Sequence, residues 1–254
     1  MTLKDILDCG NYGIGTWCVL PSADTVEILA KSGMNFVIID LEHGPHGFET
    51  AAAMARGAQL YDCAALVRVP SNNPETILRA LEIGSDGIVV PQISSVDAAR
   101  EAVAAAKYYP DGNRGFSPFT RSGGYSSDGV ENLAEISNAR TLCVLLVEGV
   151  EGISNLDEIL TVDGIDVIYI GTYDLCQSVG HPGQPNHPEV VKLLGTCVTK
   201  INSAGKAAGC LAQSVDEVKR WIEMGIRFIP YKADCAILHD ESRRILNDVQ
   251  VEIL

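Results

Sequence analysis

Apolar, often β-branched runs recur along the whole chain, and glycine, proline or charged residues separate them. Eight of these runs have the length of buried strands, which is roughly four to eight residues. The stretches between them show apolar residues three and four positions apart, as in Val26, Leu29 and Ala30, and this spacing predicts helices. The predicted strands cover residues 13–19, 36–41, 64–69, 87–93, 141–148, 167–171, 206–211 and 227–231.

The alternation of strands and helices predicts parallel βα units, because parallel neighbours need a crossover connection between them. Eight units favour a closed (β/α)8 TIM barrel of the α/β class, and an open doubly wound sheet is the alternative. No linker or change of composition divides the sequence, so we expect one domain over residues 1–254. Serines and glycines at the borders are predicted helix caps and stops. They are Ser22, Ser214, Gly33, Gly84 and Gly225.

One connection, over residues 108–140, is much longer than the others. Connections of this length are usually lids, binding loops or oligomer contacts. Phe116, Phe119 and Tyr125 favour an ordered loop, because aromatic side chains are stabilised by burial. A floppy surface insertion is the alternative.

The composition excludes several classes of function. With a formal net charge of −14, the protein is not expected to bind nucleic acid or an anionic membrane. The chain has no apolar run of about 18 residues, and its first residues do not resemble a signal peptide, which favours a cytoplasmic protein. The eight cysteines form no CxxC pair, which is typical of reduced, buried thiols.

Charged and polar side chains follow several of the predicted strands. In a (β/α)8 barrel the chemistry lies at the carboxyl ends of the strands, so these residues are expected to converge. The clearest case is the second strand, which ends in a cluster of two carboxylates and an imidazole. The residues at the strand ends are Trp17, Asp40, Glu42, His43, Arg68, Gln92, Glu148, Asp174, Lys232 and Asp234.

The residue types suggest acid/base chemistry assisted by a metal ion. Glu148 and Asp174 are the best candidate ligands for Mg²⁺ or Mn²⁺, which prefer carboxylate oxygens. Arg68 lies in an apolar run, so it needs either a ligand oxygen or an ion pair with a neighbouring carboxylate. His43 is a candidate proton carrier or an ordinary turn histidine. Lys232 has the position of a Schiff-base lysine, but the metal-binding carboxylates make that role unnecessary.

Five segments together carry a resemblance over nearly the whole chain. The sequence resembles the HpcH/HpaI aldolases, which are metal-dependent class II pyruvate aldolases. The resemblance implies a homo-oligomer, a hexamer or trimer of dimers, in which the last helix, within residues 235–254, is exchanged between subunits. It also implies a divalent cofactor, Mg²⁺ or Mn²⁺, with Co²⁺ as a further option. The segments are FVIIDLEHGPHG, LVRVPSNNP, LEIGSDGIVVPQISSVDAAREAVAAAKYYPDGNRG, LLVEGVEGISNLDEILTVDGIDVIYIGTYDL and GHPGQPNHPEV.

The resemblance also implies roles for single residues. Glu148 and Asp174 match the two metal-binding carboxylates, and Arg68 matches the arginine that contacts the keto oxygen of the substrate. His43 matches the histidine assigned to acid/base work, and Glu82 falls where the family often has an aspartate partnered with it. The substrate carboxylate would be held at Gly171, Thr172 and Tyr173.

The reaction that follows is the reversible cleavage of a 4-hydroxy-2-oxo acid, such as 4-hydroxy-2-oxoheptanedioate or 2-dehydro-3-deoxyglucarate, to pyruvate and an aldehyde. The cation would stabilise the enolate that forms when the carbon–carbon bond breaks. The aromatic part of the long connection, Phe116 to Tyr125, is a candidate cover for the aldehyde end of the substrate.

Two residues depart from the family pattern and leave other functions open. Leu146 replaces a common glutamine, and Tyr173 places a bulky ring beside the metal carboxylate. A decarboxylase or a carbon–carbon bond-forming synthase could use the same enolate. A citrate-lyase-like acyl-CoA lyase would need a basic docking site, and a non-catalytic ligand-binding scaffold would not need these buried charges.

Overall fold

Eight parallel strands close into a barrel in which each strand pairs with the next and β8 pairs with β1. The computed structural model describes residues 1–253. The predicted (β/α)8 barrel is therefore confirmed. The strands are β1 Gly13–Cys18, β2 Phe36–Asp40, β3 Ala64–Arg68, β4 Gly87–Val90, β5 Leu142–Val147, β6 Val167–Ile170, β7 Ala207–Gly209 and β8 Phe228–Ala233.

The fourth strand is shorter than its apolar run predicts. Pro91 follows Val90 and has no N–H group for the ladder, and Gln92 then adopts a left-handed φ of 57°. The regular strand therefore ends three residues before the predicted end at residue 93, and the Ile93 N–H makes one further hydrogen bond to Leu146 O at 2.9 Å.

Helices connect the strands around the outside of the barrel. As predicted, Ser22 and Ser214 cap helices by accepting hydrogen bonds from Thr25 and Glu217 backbone N–H groups. The helices are α1 Leu3–Asp8, α2 Ala23–Lys31, α3 Phe48–Gln59, α4 Pro74–Glu82, α5 Val96–Ala106, α6 Leu133–Arg140, α7 Val150–Ser154, α8 Leu156–Ile159, α9 Thr172–Ser178, α10 Pro188–Ser203, α11 Val215–Met224 and α12 Asp234–Ile253. Within the described residues, these helices include none that combines the length and apolarity needed to span a bilayer.

Side chains fill the interior of the barrel. Phe36 and Phe228 stack there with ring centroids 4.1 Å apart, and Tyr169 meets Phe228 edge to face at 6.4 Å. Gly15 makes room for this packing, since a Cβ there would lie 2.4 Å from the ring of Phe36. The barrel is a packed core rather than a pore, so a ligand must bind at one end of it.

Helix α1 closes the amino-terminal end of the barrel, where Leu3 and Leu7 are buried against the interior. A cavity of about 710 Å³ lies beside this helix. Two of its charged groups already have partners: Lys4 contacts Asp166 at 2.6 Å, and Asp86 accepts a 2.9 Å hydrogen bond from Gln59. The charged and polar side chains that follow the strands lie at the opposite end of the barrel.

The long connection also lies at the amino-terminal end, because it follows α5, which returns from the carboxyl ends of the strands. Arg121 donates a 2.8 Å hydrogen bond to Gln59 at the end of α3 and packs on Gly84 beyond the end of α4. The expectation that the Phe116 to Tyr125 segment covers the aldehyde end of a substrate is therefore wrong within one chain. The order of the elements places this connection at the end of the barrel opposite the predicted site, so its length does not make it a lid.

Candidate active site

Asp40 and Arg68 form a buried ion pair at the ends of β2 and β3. The Nε of Arg68 donates to Asp40 Oδ1 at 2.9 Å, and a second nitrogen contacts the other carboxylate oxygen. Arg68 also lies 3.1 Å from Glu42 and 4.3 Å from the ring centroid of Trp17. The ion-pair alternative for Arg68 is thus what the structure shows.

The two acidic partners of Arg68 differ in their protonation behaviour. Burial opposes ionisation of Asp40, but the hydrogen bond and positive charge of Arg68 hold the pKa of this carboxyl below its usual value. For Glu42, burial outweighs the attraction of Arg68 and raises the pKa. Asp40 therefore fixes the arginine, whereas Glu42 can exchange a proton or another partner more readily.

Asp40 also shapes the turn that presents His43. Its Oδ1 accepts hydrogen bonds from the backbone N–H groups of Glu42 at 3.0 Å and His43 at 3.2 Å. This is the side-chain-to-backbone bonding that Asp favours at turns. The turn leaves the side chain of His43 exposed at the carboxyl end of the barrel.

Glu148 follows β5 and is held against the neighbouring strands. Its Oε1 accepts a 2.8 Å hydrogen bond from the Gln92 backbone N–H, and a Cβ on Gly171 would lie 2.9 Å from its Cγ. Burial raises the pKa of Glu148, and the negative charges of Asp174 and Glu42 raise it further. Such a carboxylate is stabilised by any cation placed among the three acids.

A cavity of about 610 Å³ brings the predicted residues His43, Glu148 and Asp174 together with Glu42. Oxygen donors dominate this end of the cavity, which fits a hard divalent cation with open positions for water or substrate. Arg68 does not itself line the cavity, but it contacts Glu42, which does. The lining residues are Glu42, His43, Gln92, Ile93, Ser94, Glu148, Gly149, Glu151, Gly152, Asp174, Gln177 and Ser178.

Helix α9 starts directly after β6, and its first turn carries Thr172, Tyr173 and Asp174. The first N–H groups of a helix have no acceptor within it, so this turn can bind an anionic oxygen. The ring of Tyr173 points to a separate cleft, where its hydroxyl accepts a 3.1 Å hydrogen bond from Gln213. The bulky side chain therefore does not fill the cavity that Asp174 lines.

Comparison with known proteins agrees with this geometry. The HpcH/HpaI aldolase/citrate lyase family matches residues 13–238. The chain belongs to this family. It is therefore an enzyme of the aldolase and lyase class, as the resemblance implied.

Two relatives cover most of the chain. A pyruvate aldolase of Rhizobium etli is 37% identical over 235 residues, which are 92% of each chain. A 4-hydroxy-2-oxo-heptane-1,7-dioate aldolase of Salmonella heidelberg is 35% identical over 237 residues, 92% of this chain and 89% of the relative.

Two solved structures also superpose on this chain over nearly its whole length. A family protein from Burkholderia cenocepacia superposes with a TM-score of 0.92 at 28% identity and covers 98% of both chains. The citrate synthase SbnG superposes with a TM-score of 0.89 at 27% identity and covers 99% of this chain and 98% of its own.

Glu82, predicted to partner the family histidine, is not near His43 within this chain. It ends α4, at the amino-terminal end of the barrel, where its carboxylate accepts a 2.7 Å hydrogen bond from Arg114. Arg114 also donates to the Ser122 hydroxyl at 3.0 Å. Within one chain, Glu82 therefore stabilises the long connection and does not orient the histidine.

Two other candidates at the strand ends have structural partners in this aldolase. Lys232 has a left-handed φ of 53° and forms a 2.6 Å ion pair with Asp240 on α12, and it does not line the cavity. The carboxylate of Asp234 accepts hydrogen bonds from the backbone N–H groups of Val19 and Leu20, each at 3.1 Å. The hydrogen bonds of Asp234 hold the start of α12 against the end of β1.

Some residues that line the cavity were not singled out from the sequence. Glu151 lies in the first turn of α7, just beyond Glu148, and Gln177 and Ser178 follow Asp174 by three and four positions on α9. On a helix, a spacing of three or four residues places side chains on one face. This spacing was the available signal for Gln177 and Ser178, and it would have extended the predicted site along α9.

His46 lies in the loop just beyond the turn at His43. Both of its ring nitrogens are buried without a protein hydrogen-bond partner. Burial lowers its pKa, which favours the neutral imidazole. His46 packs beneath Gly44 and so supports the turn that carries His43.

Proposed function

We propose that this aldolase reversibly cleaves a 4-hydroxy-2-oxo acid to pyruvate and an aldehyde, and that it requires a divalent cation. The observation that carries the proposal is the cavity in which Glu148, Asp174 and Glu42 meet His43. The relatives named as pyruvate and 4-hydroxy-2-oxo-heptane-1,7-dioate aldolases support the same substrate class.

Glu148 and Asp174 would hold the cation. Both offer carboxylate oxygens, and the repulsion that raises the pKa of Glu148 would be relieved by a positive charge. This donor set suits Mg²⁺, Mn²⁺ or Co²⁺. When bound, the cation supplies positive charge at the keto and carboxylate oxygens of the substrate, where negative charge develops during cleavage.

The chain itself supplies orientation and proton transfer. The backbone at Gly171, Thr172 and Tyr173 would hold the substrate carboxylate through the N–H groups of Thr172 and Tyr173, because the Gly171 N–H already donates to Val147 O at 3.2 Å. Arg68 would share its positive charge with the keto oxygen while Asp40 fixes its direction. His43 would remove the proton from the 4-hydroxyl group, since a neutral imidazole nitrogen accepts a proton and histidine is the commonest general base in enzymes.

The test uses exchange of the pyruvate methyl hydrogens with deuterated water, with and without Mn²⁺. We expect exchange that depends on the metal and is lowered at least about 100-fold in Glu148→Gln and in Asp174→Asn. Glu158→Gln, an exposed carboxylate on α8, is the matched control and should retain full exchange. His43→Ala should slow aldol cleavage while pyruvate still binds.

Two outcomes would contradict this proposal. One is full exchange by the wild type in excess chelator, which would remove the role of the cation. The other is loss of pyruvate affinity in His43→Ala with unchanged turnover, which would reassign the histidine from proton transfer to binding.

A carbon–carbon bond-forming synthase is the second candidate, because the citrate synthase SbnG has nearly the same fold. Leu146, the departure that left this option open, is buried in the barrel interior and does not line the cavity. The acyl-CoA lyase alternative has less support, since the residues that line the cavity include no lysine or arginine. Product analysis with pyruvate and oxaloacetate as donors separates the candidates.

We further propose that the chain is a cytoplasmic, single-domain subunit of a homo-oligomer, a hexamer or trimer of dimers. Helix α12 supports this, because Leu238, Ile245 and Leu246 are exposed on it. An exchanged C-terminal helix would cover these side chains, while Leu254 lies outside the described residues. The eight cysteines, which are all free, fit a reducing compartment.

A further inference from the structure

The loop between α9 and α10 is folded tightly by its own backbone. The N–H of His181 donates to Cys176 O at 2.7 Å, Gln184 N–H donates to His181 O at 3.1 Å, and His187 N–H donates to Gln184 O at 3.0 Å. The side chain of Asn186 bonds to Glu217 on α11 at 2.7 Å. Both histidines are therefore held on an ordered segment.

The side chains of His181, His187 and Glu189 meet on this loop and on the first turn of α10. The two imidazole rings stack with centroids 3.5 Å apart, and His181 Nε2 lies 2.9 Å from Glu189 Oε2. One potential ligand atom from each residue lies within 4.8 Å of the others. Both rings are half-buried, whereas the carboxylate is exposed.

We propose that His181, His187 and Glu189 form a second metal site that binds a divalent transition-metal ion, with Zn²⁺ as the best match. Two imidazoles and one carboxylate are typical ligands of Zn²⁺ and its neighbours in the periodic table, while Mg²⁺ prefers oxygen ligands and water. The cavity at Glu148 and Asp174 offers oxygens, so the two sites differ in the metals they select.

Binding requires a small local rearrangement. A metal ion lies in the plane of each imidazole that binds it, so one ring must tilt out of the stack. In the structure, Nδ1 of His187 accepts a 3.3 Å hydrogen bond from the Glu189 N–H and thereby caps α10. A metal ion on Nε2 would require the proton to move to Nδ1, and an ion on Nδ1 would displace the cap.

Zinc binding is tested in a background that lacks the other candidate metal ligands, Glu148→Gln with Asp174→Asn. Equilibrium dialysis against zinc chloride should give one ion per chain in this background. His187→Asn removes the imidazole but keeps a good N-cap, and His181→Gln keeps a donor for Glu189. Each substitution should weaken zinc binding at least about tenfold, which corresponds to about 1.4 kcal/mol.

The control is His239→Asn on α12, where an exposed histidine lies 3.0 Å from Asp240 without a second imidazole. Zinc binding should be unchanged by this substitution, and Mg²⁺ should not compete for the site. Absence of zinc from the background protein, or equal zinc affinity in all three histidine variants, would overturn the proposal. Because every measurement uses the background lacking Glu148 and Asp174, the outcome does not depend on the proposed aldolase mechanism.

Discussion

At the scale of single residues, two carboxylates at the carboxyl ends of strands have pKa values shifted in opposite directions. Arg68 keeps the pKa of Asp40 low, while burial and the nearby acids raise the pKa of Glu148. A carboxylate with a fixed cationic partner is suited to a structural role. A carboxylate that lacks such a partner is suited to bind a cation. Its uncompensated charge destabilises the fold until a cation binds.

We predict that Glu148→Gln stabilises the metal-free protein at pH 7 by about 1 kcal/mol, the usual size of a single stabilising substitution. The raised pKa means that the native state holds this proton more tightly than the unfolded chain does. Stability of the wild type therefore falls as pH rises from the ordinary pKa of glutamate through the raised one. Glutamine has no such proton, and its amide oxygen can still accept from Gln92.

Urea unfolding in excess chelator measures this difference across pH. The stability gain should shrink as pH falls below the ordinary pKa of glutamate, where both states of the wild type are protonated. The exposed control, Glu158→Gln, should change little at any pH. A loss of stability in Glu148→Gln at pH 7 would show that the charge of this carboxylate is compensated within the chain.

At the scale of elements, the period of apolar residues predicted all eight strands, because alternation and helical spacing are local properties. The end of β4 was less well predicted, since Pro91 and the left-handed Gln92 end a run that remains apolar, and β7 is shorter at both ends than its predicted range. The residues next to Glu82 in the sequence did not show which side chains it contacts in the fold. The order of the elements, however, does place the long connection after α5 at the amino-terminal end of the barrel.

Arg114 holds the long connection at that end, and we predict that Arg114→Ala destabilises the protein by about 3 kcal/mol. Its side chain is 1% exposed, bonds to Glu82 and lies 4.5 Å from the ring centroid of Tyr108. The substitution leaves Glu82 without its cation and removes packing against the ring. Chemical denaturation should show the loss, and limited proteolysis should cut within residues 107–132.

Arg100→Ala is the matched control, because Arg100 is exposed and pairs only with Asp97 one turn away at 3.2 Å. Surface pairs of this kind contribute about 0–1 kcal/mol. Equal stability of the two variants would mean that the buried contacts of Arg114 do not anchor the connection.

At the scale of the whole molecule, α12 extends beyond the packing of the barrel. Its first residues are tied to β1 through Asp234, but its later apolar side chains are exposed. An apolar stripe on a long helix is costly in water and usually marks an interface. The net charge of −14 opposes association of the subunits, so a stable oligomer needs such apolar contacts.

We predict that Leu246→Glu dissociates the proposed oligomer. Leu246 is 61% exposed, and a carboxylate there would be buried without a partner if another subunit covers the helix. Light scattering after gel filtration should give the wild type a mass several times 27.2 kDa and give the variant a smaller mass. Asn247→Glu places the same charge one position along the helix and controls for the added charge. The prediction is wrong if the wild type has the mass of one chain or if the variant keeps the mass of the wild type. Either result would mean that the apolar stripe of α12 does not form the subunit contact.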